Sequence, residues 1–408
     1  MNIGTTLEWY ELSLYAYWAP TISKIFFDND SPATNLLNVF LFLGLGYLIR
    51  PLGGIFFGRL GDKIGRRKAL IWSILTMTIP TMLIGFLPSY SSVGIFAPIL
   101  LCINRLLQSF PAGGELPGSF CYLYESAHAS NRKYLTSWGF MGNQMGIMLA
   151  MVECLVFEKF FSAEDLFTWG WRLSFLLGSL IGFYGFYLRH TLKETPVWAH
   201  LEKTHKIVNS PISNVLLTYK WKIVKGICYS AIPSVSFGAL AYFFPIYLGN
   251  LLGTSYSMNL VILIIVLVLI TIPLPFFGKL ADKYDYKKIL INCTSLIIVL
   301  MISLHFFRLD YVISLAICVF LAISFSCLYA ILPFILTDLF PTPLRFSGIG
   351  LTFNIADSLE GLTPATALYL LHVTESQTSY FWILLICSFI SLGSYLMIQN
   401  HRHITTEE

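Results

Sequence analysis

A chain of 408 residues that is 56% hydrophobic and only 12% charged, with mean hydropathy +0.70, is too apolar for a soluble domain, in which about 25% of residues are charged. The formal charge of +4 is distributed as membrane topology requires and does not argue for nucleic-acid binding. All eight Cys stand singly in apolar runs without a Cys-x-x-Cys pair, which excludes a disulfide framework or thiolate metal site and reads as small apolar packing.

A span needs about 20 mostly apolar residues. Twelve such runs are predicted: 4–27, 35–57, 69–87, 94–124, 134–157, 170–190, 222–250, 257–278, 289–307, 310–338, 347–372 and 378–399. Long runs without alternation predict helices rather than a barrel. The intervening segments 58–68, 132–133, 189–225, 279–288, Arg345 and Arg402 hold 20 of the 26 Lys and Arg, while Lys24, Lys159, Arg172 and Arg308 fall on the other side. That bias predicts a multi-pass protein of the bacterial inner membrane type with both termini cytoplasmic. The first run has no basic segment before it and no small-residue cleavage site, so it is expected to remain as an uncleaved anchor.

Span 1 carries Glu8, Glu11, Tyr15 and Trp18, spaced by 3, 4 and 3 and hence on one helix face. An acid within a span costs roughly 2.5–3.5 kcal/mol at a helix centre. Glu8 is near enough to the end to reach water; Glu11 lies one turn deeper. Span 2 ends in Arg50-Pro51-Leu52-Gly53-Gly54 and leads into the basic stretch Gly58-Arg59-Leu60-Gly61-Asp62-Lys63-Ile64-Gly65-Arg66-Arg67-Lys68, predicted to be a loop. A worn copy lies 220 positions on, with Gly278, Asp282, Lys283 and Lys288 in register. Span 4 carries Arg105, Gln108 and Glu115 on one face. Spans 1 and 4 run antiparallel, and both faces extend about 15 Å. Glu115 then falls level with Glu8 and Glu11, and Arg105 level with Tyr15 and Trp18. A buried structural Arg–Glu pair and a solute or proton site are both open readings here. A second repeat relates Glu125 and Arg132 to Asp338 and Arg345 at an offset of 213. These acid and base pairs read as gate latches. Residues 191–221 form a polar linker with a surface helix, and span 11 holds the unexpected acids Asp357 and Glu360. The tail, 400–408, has no heptads for a coiled coil.

The stretch at 58–67 matches every position of Gly-x-x-x-Asp-[Arg/Lys]-x-Gly-Arg-[Arg/Lys], and in this it resembles the major facilitator superfamily. Gly4-x-x-x-Glu8-Trp9-Tyr10-Glu11, Arg50-Pro51-Leu52-Gly53-Gly54, Gly113-Gly114-Glu115, Glu194-Thr195-Pro196, Tyr242 to Leu248 and Gly361-Leu362-Thr363-Pro364 extend the likeness to its metabolite:proton symporter family. Ser109 stands where the family has Gly, and Pro111 adds a kink site, which predicts looser helix packing at that level. The resemblance implies an all-α membrane protein of twelve helices in two pseudo-symmetric six-helix bundles. Residues 1–190 and 222–399 would form the bundles, with 191–221 as linker and 400–408 as cytoplasmic tail. It also implies proton-coupled symport of a small carboxylate-bearing solute, either a proline- or betaine-like osmolyte or an organic acid of the α-ketoglutarate, citrate or shikimate kind. A non-transporting solute receptor of the same fold is the rival from another class. The implied partners are the solute, a proton and the lipid bilayer, without cofactor, metal, nucleic acid or obligate protein partner. Glu8, Glu11, Tyr15, Trp18, Arg105, Gln108, Glu115, Asp357 and Glu360 are the expected solute and proton residues; Arg105 would suit a carboxylate, and Tyr10, Tyr15 and Trp18 would cage a quaternary ammonium. Gly58, Asp62, Lys63, Gly65, Arg66, Arg67, Glu125, Arg132, Asp282, Asp338 and Arg345 are the expected gate. An enzyme is not expected: the chain has no nucleotide loop, His-Glu-x-x-His or Gly-x-Ser-x-Gly motif.

Overall fold

The computed structural model describes residues 2–28, 31–239, 255–306, 311–374 and 379–398, which are helical with no strand among them. Over its described residues, each predicted apolar run is occupied by helix. The first seven are α1 (Asn2–Tyr17), α2 (Ala19–Phe26), α3 (Pro32–Ile64), α4 (Arg66–Phe86), α5 (Phe96–Ser126), α6 (Arg132–Phe160) and α7 (Trp171–His190). Two short helices, α8 (Pro196–Lys203) and α9 (Pro211–Thr218), lie in the polar linker. The rest are α10 (Lys220–Gly238), α11 (Tyr256–Thr271), α12 (Leu274–Lys283), α13 (Tyr286–Phe306), α14 (Tyr311–Asp338), α15 (Arg345–Thr374) and α16 (Ser379–Leu396). The aromatic stretch Tyr242 to Leu248 and the tail 400–408 lie outside the described residues.

Among the described residues, seven helical segments are long and apolar enough by length and composition to cross a membrane. Length keeps α1, with 16 residues, out of that set, and several other helices carry a polar load. α1 carries Glu8 and Glu11, α5 carries Arg105, Glu115 and Glu125, and α15 carries Asp357 and Glu360, all of them buried. Charge facing lipid is costly, so these helices turn it toward their neighbours. The apolar helices do the reverse. Leu180, Tyr184 and Tyr187 of α7 and Ile265 of α11 stand exposed, an outward belt that only a bilayer would cover.

Three expectations need correction. Span 1 is broken between Tyr17 and Ala19, where Pro20 enters the first turn of α2, a position that proline tolerates well. The basic stretch 58–68 is not a loop. α3 continues through Asp62 to Ile64 and α4 starts at Arg66, so Gly65 alone turns the chain, at φ 111°. That left-handed conformation is open to glycine and strained for other residues. The looser packing expected at Ser109 is also absent. α5 runs unbroken through Pro111, and Gly46 makes the room, since a Cβ there would lie 2.6 Å from Ser109 Oγ.

Among the described residues, the main helix contacts that join the first six spans to the last six are α3 against α15, α6 against α12, α14 and α11, and α5 against α15 and α14. The Gly53-Gly54 pair makes the first possible. A Cβ on Gly54 would lie 2.2 Å from the Gly350 carbonyl oxygen, and one on Gly53 would lie 1.7 Å from that of Phe110. α3 therefore packs backbone to backbone on α5 and α15 at once, the close approach that small residues permit within membranes.

Candidate functional site

At the end of the molecule that holds the basic segments, the two repeats interlock. Both Asp62 oxygens accept from the first turn of α15, from Phe346 N at 3.2 Å and Ser347 N at 2.9 Å. Asp282, its copy, accepts from Lys133 N at 3.0 Å and Tyr134 N at 2.9 Å in the first turn of α6. Each acid thus caps a helix of the opposite bundle, where exposed N–H groups and the helix dipole favour a negative charge. Asp62 also pairs with Arg66 at 3.1 Å, and Asp282 with Lys133 at 3.6 Å.

Arg66 is fully buried and has further partners: Glu125 through two bonds of 3.0 Å, and the Thr342 carbonyl at 2.7 Å. Arg345 reaches the same Glu125 at 3.0 Å from the other bundle. The acid–base pairing expected from the second repeat is therefore exchanged. Arg345 pairs across the interface and not with Asp338, while Arg132 donates to Tyr124 Oη at 3.3 Å and Asp338 accepts from that same hydroxyl. The copies also differ at the buried arginine: the second has Tyr286 where the first has Arg66. Gly58 lies against Ser347, Lys63 is half-buried at the end of α3, and Arg67 donates to the His190 carbonyl.

The linker adds residues that the sequence reading left out. Glu194 accepts from Arg66 N at 3.1 Å and Arg67 N at 3.1 Å, capping α4. Thr195 donates to Glu125 at 2.8 Å and Trp198 to the Asp62 carbonyl at 3.3 Å. Glu194-Thr195-Pro196 was visible as a motif; its reach to the gate was not.

The buried polar residues of spans 1 and 4 divide into separate groups. Glu115 is held by Arg189 of α7 through both guanidinium nitrogens and by Ser73 of α4 at 2.6 Å. Glu8, 1% exposed, feels Glu115 and Arg189 as its strongest neighbouring charges. Farther along, Glu11 accepts from Thr81 at 2.8 Å, Gln108 donates to that hydroxyl at 2.7 Å, and Arg105 donates to Gln108. Arg105 stacks on Tyr15 at 4.3 Å, so the predicted level is the observed one. Trp18 departs: its indole donates to Ser174 at 3.0 Å and packs edge-on against Phe157. Tyr10 donates to Glu153. Tyr10, Tyr15 and Trp18, expected together as a cage for a quaternary ammonium, thus turn to different partners. The shared face of Arg105, Gln108 and Glu115 meets Tyr15 of α1, Thr81 and Ser73 of α4 and Arg189 of α7 inside the first bundle, while Leu116, one position on, lines the space between bundles.

That space is nearly closed, with free room of about 10 Å³, and is lined from both bundles: Trp9, Leu116, Phe140 and Asn143 from one, and Pro233, Ser234, Phe237, Tyr329, Leu332, Phe353, Asp357 and Glu360 from the other. Its aromatic rings touch in sequence, Trp9 to Phe237 at 6.3 Å, Phe237 to Tyr329 at 6.3 Å, Tyr329 to Phe140 at 5.4 Å and Phe140 to Phe353 at 6.4 Å. At one edge the Arg50 guanidinium lies 3.7 Å from the Tyr47 ring and 5.2 Å from the Trp9 ring, and pairs with Asp357 at 2.7 Å. Tyr47 Oη donates to Glu360 at 2.8 Å. Arg50 and the rings are absent from the expected site list, although Arg50 belongs to a quoted motif. Their convergence is a tertiary fact with no local spacing to show it. Chemically the cavity offers π faces and carboxylates to a cation and a guanidinium to an anion.

Comparison with known proteins agrees with this architecture. The family model described as Major Facilitator Superfamily matches residues 3–364. The chain is 29% identical over 402 residues to the proline/betaine transporter of Salmonella typhimurium, covering 96% of this chain and 80% of that protein. It is 30% identical over 411 residues to the glycine betaine/proline/ectoine/pipecolic acid transporter OusA of Dickeya dadantii, covering 98% and 82%. To a putative proline/betaine transporter of Staphylococcus aureus it is 33% identical over 416 residues, covering 99% and 87%. Among solved structures, the proton:xylose symporter XylE bound to 6-bromo-6-deoxy-D-glucose overlays with a TM-score of 0.78 at 17% identity, covering 97% of this chain and 93% of that one. A partially occluded inward-open XylE from E. coli gives 0.74 at 16%, covering 98% and 96%. At such identities the structural likeness concerns the fold alone. Because the family model spans most of the chain, with near-full-length relatives at about 30% identity, the chain belongs to the Major Facilitator Superfamily and is a multi-pass membrane solute transporter, not an enzyme.

Proposed function

We propose that the protein carries a small zwitterion of the proline or betaine type, together with a proton, across a bacterial inner membrane. Residues 1–190 and 222–399 act as two bundles that rock about the central cavity, joined by the linker 191–221. The Lys and Arg bias puts the gate, both termini and the tail 400–408 on the cytoplasmic side. With no nucleotide site in the sequence, an ion gradient supplies the energy, and the buried acids Glu8, Glu11, Asp357 and Glu360 supply groups able to take up a proton.

The observation that carries this reading is the cavity between the bundles. Five aromatic rings and two carboxylates suit an ammonium group, and Arg50 at the edge suits a carboxylate through its planar fork. The same two acids disfavour the organic-acid alternative, because a dicarboxylate would meet like charge. The printed substrates of the similar transporters, proline and betaines, agree with the zwitterion reading. Counterflow in proteoliposomes tests it. Labelled proline or glycine betaine should exchange against unlabelled solute inside, and α-ketoglutarate should not. Exchange of α-ketoglutarate alone would move the protein to the organic-acid class, and no exchange of any solute would leave a receptor.

A further inference from the structure

Resting on the zwitterion reading above, we infer that Asp357 stands in for the solute's carboxylate in the empty carrier and takes up the coupled proton when the solute displaces it. Arg50 and Asp357 come from α3 and α15, on opposite bundles, and meet at 2.7 Å with 3% and 2% of their side chains exposed. The guanidinium lies against Trp9, a ring that also lines the cavity. A solute whose ammonium group sits among the rings therefore brings its carboxylate toward Arg50, where it competes with Asp357 for the guanidinium.

Arginine does not give up its proton. Once the solute carboxylate binds Arg50 and the solute's ammonium group settles among the rings beside Glu360, Asp357 is a buried carboxylate without that counter-charge. Glu360 lies one turn along the same helix, the Tyr47 and Tyr329 hydroxyls face it from α3 and α14, and Glu8 is on α1. The other lining residues, Leu116 of α5, Phe140 and Asn143 of α6, and Pro233, Ser234 and Phe237 of α10, bring no charge. Uncompensated buried charge is strongly unfavourable, and a proton from the outer solution removes it by forming an O–H bond on Asp357. On the inner side the solute leaves, the Arg50 pair re-forms, and that proton departs. One proton moves per solute, and no other reactant is needed. Displacement also breaks a link between α3 and α15, so solute entry loosens the contact on which rocking depends.

The test uses purified wild type, Asp357→Asn and Asp357→Glu with labelled glycine betaine. Asp357→Asn should bind on the order of tenfold more tightly at neutral pH, within the usual range of coupling between sites. Its affinity should no longer rise on acidification. It should keep counterflow but lose accumulation driven by a pH gradient, and Asp357→Glu should restore accumulation. An Asn variant that still accumulates, or that binds more weakly than wild type, overturns the inference while leaving the zwitterion reading intact. In wild type alone, a pH indicator should record about one proton taken up per betaine bound, and none taken up would overturn the inference without recourse to variants. A wild type that neither binds nor exchanges betaine or proline removes the zwitterion reading and this inference together.

Discussion

Replacing Asp62 by Asn perturbs the gate with little change of shape. The carboxylate accepts from two backbone N–H groups at 3.2 and 2.9 Å and pairs with Arg66 at 3.1 Å. The amide keeps one accepting oxygen and loses both the second charge-assisted bond and the ion pair. Loss of a helix cap costs about 0.5–2 kcal/mol, and a partly buried charge at a helix end contributes up to about 2 kcal/mol. Arg66 stays paired with Glu125, so no uncompensated charge is created. The closed gate should then weaken by about 2 kcal/mol, which raises the open fraction about 30-fold. Cys121 is a native reporter, fully buried one turn along α5 from Glu125, its thiol 3.5 Å from that carboxylate. In inside-out vesicles, site-resolved alkylation of Cys121 by a membrane-impermeant maleimide should accelerate by about that factor, with transport falling and the membrane level of protein unchanged. Equal alkylation rates and full transport in the Asn variant would refute the gate assignment.

Glu115→Gln leaves Arg189 buried without its charge partner, a loss of about 3–5 kcal/mol, so immunoblots should show much less protein in the membrane; a normal level would mean that the pair is not structural. Glu11→Gln keeps an oxygen for Thr81 and should retain most gradient-driven accumulation in a flux assay, whereas complete loss would return the proton site to α1. Trp9→Ala removes a ring from both the cavity and Arg50, and the apparent affinity for glycine betaine should fall at least tenfold, about 1.4 kcal/mol; unchanged affinity would move the solute elsewhere. Gly54→Ala drives a methyl group into the Gly350 carbonyl and should abolish transport while Leu52→Ala, at an exposed position of the same helix, stays near wild type in the same assay.

What the sequence shows is what repeats locally. The twelve apolar runs, the duplicated Asp62 and Asp282, and the level at which Arg105 meets Tyr15 all follow from composition, spacing and helical rise, and the helices lie where those runs are. The polar groupings do not follow. Helical periodicity says that Arg105, Gln108 and Glu115 share a face but not which neighbours that face meets, and these are α1, α4 and α7 rather than the central space. Arg189 sits at the end of a span, where a snorkelling side chain is the plain expectation, yet it folds back onto Glu115. Arg50, Trp9, Phe237 and Tyr329 are ordinary span residues until α1, α3, α10 and α14 converge. Glu194, Thr195 and Trp198 read as polar linker because nothing local shows the linker docking under the gate. Pairwise logic within a repeat also fails, because Arg345 pairs with Glu125 of the other copy and not with Asp338 of its own.

The central claim is that solute and proton cross together through the cavity at Arg50, Asp357 and Glu360. Simultaneous recording of labelled glycine betaine and internal pH in proteoliposomes, with the outside made acidic and no other ion gradient imposed, tests it directly. The account predicts betaine accumulation above equilibrium, internal acidification in step with it, and loss of accumulation when a protonophore is added. Betaine accumulation without proton entry, or accumulation that survives the protonophore and follows an imposed sodium gradient instead, would contradict it.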